Sequence, residues 1–181
     1  VNVGRRLRLT ILFGAIFAGL AASGYGFYCY RYPYGYTHCC DKILCFSLQD
    51  YAEQHDGWFP KGEATPQASL SLLYRLNQAL VNTLCGKTVP ESVVRPILES
   101  GNLLSPETCG WSYVEGLRKD DDSRLAIFWD RVGLGHFGER LSDGGHWVGF
   151  VNGFIEYVPG DQWEQFQAEQ ARMRAGLKRK E

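Results

Sequence analysis

The stretch Asp143-Gly-Gly-His-Trp-Val-Gly-Phe-Val-Asn-Gly-Phe-Ile-Glu-Tyr157 decides the fold class. It sets two β-favouring runs, Trp147 to Val151 and Phe154 to Val158, on either side of Asn152-Gly153. Asn-Gly accepts positive φ at both centre positions of a type I′ turn, whose twist matches that of paired strands, so the stretch predicts a two-residue hairpin. Two further short runs precede it, Trp111 to Val114 and Leu125 to Trp129, separated by Gly and Asp clusters. The four runs together predict a small antiparallel sheet.

Upstream of the sheet the apolar period changes from two to between three and four, the spacing of a helix with one buried face. Ile43, Leu44, Ser47, Leu48 and Tyr51 form one such stripe, ending by Asp56-Gly57. Thr65-Pro66 supplies an N-cap and a first-turn proline for a second helix, with Leu70, Leu73, Leu76, Leu80 and Leu84 in phase through about Cys85. Thr88 and Glu91 resemble a capping box for a third helix carrying Val93, Val94, Ile97 and Leu98, with a kink at Pro96 and a stop at Gly101. Downstream of the hairpin, Asp161 and Glu164 open a polar helix with Trp163 and Phe166, ending in Lys178-Arg179-Lys180.

The amino-terminal run from Leu9 to Tyr30 has no charged residue and, at about 1.5 Å per residue, is long enough to cross a bilayer. Arg5, Arg6 and Arg8 precede it, which by the positive-inside rule keeps residues 1–8 cytoplasmic. Tyr25, Tyr28 and Tyr30 crowd the exit, where amphipathic rings favour the headgroup level. A cleaved signal peptide shares the basic start and the small residues Ala21, Ala22 and Ser23, but the apolar run continues past them. The expected organisation is a cytoplasmic segment at 1–8, a transmembrane anchor at 9–30, a Pro/Gly neck at 31–37 and an exported α+β domain at 38–181.

Two stretches resemble the exported domains of bacterial type II secretion pseudopilins and related prepilin-like proteins. One is Cys40-Asp-Lys-Ile-Leu-Cys-Phe-Ser-Leu-Gln-Asp-Tyr-Ala-Glu-Gln-His-Asp-Gly-Trp-Phe-Pro60, similar to the family's first helix and its Tyr-Ala, Asp-Gly, Phe-Pro turn. The other is the hairpin itself, similar to the Gly-Gly, Val-x-Phe, Asp-Gly, Val close of many prepilin-like chains, with Asn152 where Asp is usual. The resemblance implies a pilin-like domain, a helix packed on a small antiparallel sheet. It also implies a place among other envelope or pseudopilin-like proteins. The prepilin processing motif is absent: Arg-Arg-Leu-Arg follows Gly4, no Glu lies near the start of the apolar run, and Pro33 interrupts it.

The chain of 181 residues carries a formal charge of -1, which gives it no general attraction for nucleic acid. Asp130, His136, Asp143 and His146 lie in the Gly-rich region around the hairpin, where loops bring imidazole and carboxylate together as in zinc sites and acid-base pairs. His136 and His146 would then serve a membrane-tethered, metal-dependent hydrolase. Asp120, Asp121 and Asp122 cluster the oxygens that calcium takes, and the major pseudopilin of type II secretion binds calcium in a carboxyl-terminal loop; an acidic turn between strands is ordinarily just solvated. Among six cysteines, Cys85 and Cys109 fall at element ends and form the candidate disulfide of an exported domain. Trp111, Trp129 and Trp147 are either core residues or exposed anchors of a ligand-binding surface. No Gly-x-Ser-x-Gly, Gly-x-Gly-x-x-Gly or phosphate-loop motif is present. The expectation is a structural or interaction protein without catalysis and without a required cofactor.

Overall fold

The computed structural model describes residues 3–37 and 41–177. The readings at His38, Cys39 and Cys40 and at Lys178, Arg179 and Lys180 fall outside those residues. The architecture is α+β. A long apolar helix α1 (Val3–Arg31) is followed by α2 (Asp41–Gln54), α3 (Pro66–Arg75), α4 (Val81–Cys85) and α5 (Glu91–Glu99). Strands β1 (Trp111–Tyr113), β2 (Ala126–Asp130), β3 (His146–Phe150) and β4 (Ile155–Val158) then form one antiparallel sheet in the order of the chain, and α6 (Trp163–Ala175) closes it.

From Leu7 to Tyr30 the apolar residues of α1 are exposed, among them Phe13, Phe17 and Leu20. The helix stops at Arg31, ahead of Pro33 and of Gly35 at φ 85°. The neck is tied to the domain by backbone: Arg140 N–H donates to Arg31 O at 2.7 Å and Thr37 N–H to Phe137 O at 3.1 Å.

One face of the sheet carries the main core. Helical spacing turns Leu44, Cys45, Leu48, Tyr51 and Ala52 of α2 inward, to meet Leu70 and Leu73 of α3, Leu84 of α4, Val94 and Leu98 of α5, and Trp111 and Phe128 of the sheet. Each large apolar side chain fully buried in this way contributes about 1.5–3 kcal/mol. Phe128 meets Trp111 edge-on at 5.3 Å and lies over Gly149, its cross-strand partner. A Cβ at Gly149 would stand 2.1 Å from the Phe128 ring, so the ring occupies the space that any side chain there would need.

The opposite face is covered by α6. Trp163 and Phe166 pack on Val148, Phe150 and Val158, and the buried Gln170 fixes the helix to β2. Its Oε1 accepts from Ala126 N–H at 2.8 Å and its Nε2 donates to Arg124 O at 3.0 Å.

Three local expectations are corrected. The segment 66–85 is two helices, because Asn77 takes the left-handed conformation at φ 56° and the N–H groups of Asn77 and Gln78 close back onto Tyr74 O and Leu73 O. Leu76 and Leu80 consequently leave the buried stripe and are exposed. The Thr88–Glu91 capping box does not form: Pro90 is the N-cap of α5 and makes no side-chain bond. The hairpin is not of type I′, since Gly153 alone of its turn residues has positive φ, at 82°. Gly153 N–H donates to Phe150 O and Phe150 N–H to Phe154 O, which gives a three-residue loop with glycine at the left-handed position. Asn152 adds a bond from Phe154 N–H to its Oδ1 at 3.0 Å.

Candidate functional site

A buried charge cluster sits where three elements meet. Asp41 opens α2 in phase with Leu44, Cys45 and Leu48, so the stripe that packs the helix also turns this carboxylate inward. Asp130 ends β2 in phase with Phe128 and directly opposite Trp111, on the core face. Lys87 follows α4 after Gly86, which crosses Gly110 so closely that a Cβ on Gly86 would be 2.8 Å from the Gly110 Cα. Gly86 also has φ 58°, so the turn that aims Lys87 into the core requires glycine for both conformation and clearance.

Lys87 Nζ lies 2.6 Å from Asp130 Oδ2, and 3.1 and 3.3 Å from Oδ1 and Oδ2 of Asp41. The side chains of Lys87 and Asp130 are 0% and 1% exposed. One cation thus faces two carboxylates away from water. Lys87 Nζ donates to Oδ2 of Asp130 and to Oδ2 of Asp41, whereas Oδ1 of Asp41 and Oδ1 of Asp130 are buried with no hydrogen-bond donor. Burial pushes the Asp130 carboxyl up to about 7; Lys87 opposes that shift and the neighbouring Asp41 adds to it. Burial also draws the Lys87 ammonium down, but Asp130 and Asp41 together outweigh it and leave its pKa raised. The cluster therefore holds an ammonium beside a carboxyl group that changes protonation near neutrality.

His146 Nδ1 lies 3.0 Å from the backbone oxygen of Asp130, and its ring stacks on Trp163 at 4.0 Å. Burial lowers its pKa, so the neutral imidazole is favoured. Its side chain is on the α6 face of the sheet. His136 instead packs edge-on against Phe137 and lines a shallow groove of 390 Å³ with Asp41, Lys42, Trp147 and Ile155. Because Trp147 follows His146 in β3, the two point to opposite faces, and His136 and His146 are not brought together.

Asp143 is engaged separately. It accepts a bond from the Tyr157 hydroxyl, which holds its carboxyl below the ordinary range, and weaker ones from Gly145 and Gly160 N–H.

In the acidic turn Asp120 pairs with Arg118 at 2.8 Å, Asp122 pairs with Arg124 at 2.8 Å, and Asp121 caps Arg118 N–H at 2.7 Å. Among the described residues no group of three or more His, Cys, Asp or Glu side chains is placed to hold a metal ion. Cys85 and Cys109 are buried free thiols whose Sγ atoms approach Val81 O at 3.2 Å and Leu84 O at 3.7 Å. Trp111 is fully buried and donates its indole N–H to Thr83 O at 2.7 Å, which excludes it as an exposed anchor. Trp129 packs on Trp163, and Trp147 packs on Tyr157.

Sequence reading named Asp130 but neither Lys87 nor Asp41. The signal was available for both carboxylates, since each occupies the apolar phase of its own element. No family model, curated protein or solved structure matches the chain.

Proposed function

We propose that the chain is a membrane-anchored structural or interaction protein of the bacterial cell envelope, pilin-like in its exported domain and without catalysis of its own. The observation that carries this reading is α1. Its apolar side chains are exposed from Leu7 to Tyr30 and lie outside the core, and an apolar surface of that length is stable in hydrocarbon but costly in water. On this reading residues 9–30 span the bilayer, Arg5, Arg6 and Arg8 stay on the cytoplasmic side, and the exposed rings of Tyr25, Tyr28 and Tyr30 lie at the opposite headgroup layer. The packing of α2 on an antiparallel sheet whose last two strands form a hairpin supports the pilin-like part, with other envelope proteins of that kind as partners.

The test uses the full chain with Glu181→Cys, expressed in a bacterium and labelled with a membrane-impermeant thiol reagent. All six native cysteines are replaced by serine in a parallel control. The expected result is resistance to alkaline carbonate extraction and labelling without rupture of the cytoplasmic membrane. Release by carbonate would refute the anchor, and labelling only after rupture would refute the orientation.

A further inference from the structure

We propose that Lys87 and Asp130 are the two ends of an intramolecular isopeptide bond, formed by condensation of the lysine ε-amine with the aspartate side-chain carboxyl while Asp41 carries the proton. Three features of the cluster point to chemistry beyond an ion pair. The Lys87 nitrogen is 2.6 Å from an oxygen of the carboxyl group whose carbon it would attack; both side chains are buried, and Asp130 lies in register opposite the core residue Trp111. Such positioning replaces a bimolecular encounter with a unimolecular step. Water, which would solvate the ions and compete in the reverse direction, is excluded from both side chains. A second carboxylate touches the same nitrogen, although charge balance requires only one.

The step balances without an oxidant or a co-reactant. The Lys87 ammonium passes one proton to the Asp130 carboxylate, giving an amine beside a carboxylic acid. The raised pKa of Asp130 lowers the cost of that transfer, while the raised pKa of Lys87 opposes it. The nitrogen lone pair adds to Cγ of Asp130. Asp41 accepts a second proton from nitrogen and returns it to the departing hydroxyl. The C–O bond breaks, one water leaves, and a neutral secondary amide joins Nζ to Cγ with its remaining N–H facing Asp41. Two of the three buried charges disappear, and with them the cost of keeping those ions out of water.

Mass spectrometry of the full chain in detergent decides the matter. The expected intact protein is lighter than its sequence by one water. In its tryptic digest Lys87 resists cleavage, and a branched species joins the peptides carrying Lys87 and Asp130. An intact mass equal to that of the sequence would overturn the proposal. So would a water loss that maps to a succinimide at Asp56-Gly57 or Asp143-Gly144 with Lys87 and Asp130 in linear peptides. The Asp41→Asn variant keeps both reacting groups and is expected to accumulate at the uncondensed mass. Condensation of that variant to the wild-type extent would overturn the role given to Asp41. Should the variant fail to fold, the wild-type mass and branched peptide decide alone.

Discussion

Replacing Lys87 by methionine removes a cation and leaves its apolar stem, so the change isolates charge from packing. At 2.6 Å from Asp130 and 3.1 Å from Asp41, the ammonium gains about 6 and about 5 kcal/mol of gross attraction at an effective dielectric constant of about 20. Removing three ions from water cancels most of that gain, so the intact cluster contributes little net stability. Its loss is different, because two carboxylates then remain buried with nothing to oppose their charge. Breaking a buried pair in this way costs about 3–5 kcal/mol, and with an m value of about 2 kcal/mol/M it lowers the urea midpoint by about 2 M. A covalent Lys87–Asp130 link would add to the wild-type side of the difference, so this figure is a floor. The sign with pH follows from the carboxyl groups. Burial raises the native pKa of Asp130 above the unfolded value of about 4, and it rises further once the cation is gone. Below about pH 4 both states are protonated and the penalty is absent; it grows as pH rises toward the raised native value and then levels off. Urea melts of Lys87→Met followed by far-ultraviolet circular dichroism at about pH 5 and about pH 8 should show the larger loss at the higher pH. A variant as stable as wild type at about pH 8, or more stable there than at about pH 5, would refute the account of the cluster.

Gly149→Ala should destabilise the domain by about 1–3 kcal/mol in the same melts, because Phe128 cannot move aside without displacing Trp111. Phe128→Leu in that background should restore part of the loss, and additive effects of the two changes would contradict a direct clash. Tyr157→Phe should raise the Asp143 carboxyl toward its ordinary value, as read by side-chain NMR titration, because the phenol bond is the main cause of its depression. The stabilisation from that bond is present above the unfolded carboxylate pKa and is lost as pH falls through the lower native value. Burial pushes the thiols of Cys45 and Cys85 to about 11 and that of Cys109 to about 12, so all three should resist alkylation at neutral pH until urea unfolds the domain. Rapid modification of any of them in the folded chain would contradict their burial.

The sheet was legible in the sequence because alternation and glycine-rich turns are local signals, and its four runs match the observed strands to within a residue at each end. The break of α1 at the neck was legible for the same reason, through Pro33 and Gly35. The second helix was misread because its leucines keep phase across Asn77, and apolar spacing carries no record of one residue in the left-handed region. The turn type was misread because Asn-Gly also suits a loop in which only glycine has positive φ. The charge cluster was missed for another reason. Asp41, Lys87 and Asp130 are far apart in the chain and meet only through tertiary packing. A search for His and Asp near one another in sequence favoured His136 and His146, which strand alternation then sends to opposite faces. Phase would have shown Asp41 and Asp130 turning inward, but not that Lys87 met them.

The neck reaches the domain by two routes. One is the chain itself, which arrives at Asp41; the other is the pair of backbone bonds that hold Arg31 and Thr37 to Arg140 and Phe137, in the loop between β2 and β3. Both routes arrive at the end of the sheet where Lys87 bridges Asp41 and Asp130. A pull along α1 is therefore delivered first to that end, and the cluster acts as a rivet between the helical layer and the second strand. A covalent Lys87–Asp130 bond would close residues 88–129 into a loop that tension on the termini cannot extend. The hairpin and α6 would give way before α5 and β1, which lie inside that loop.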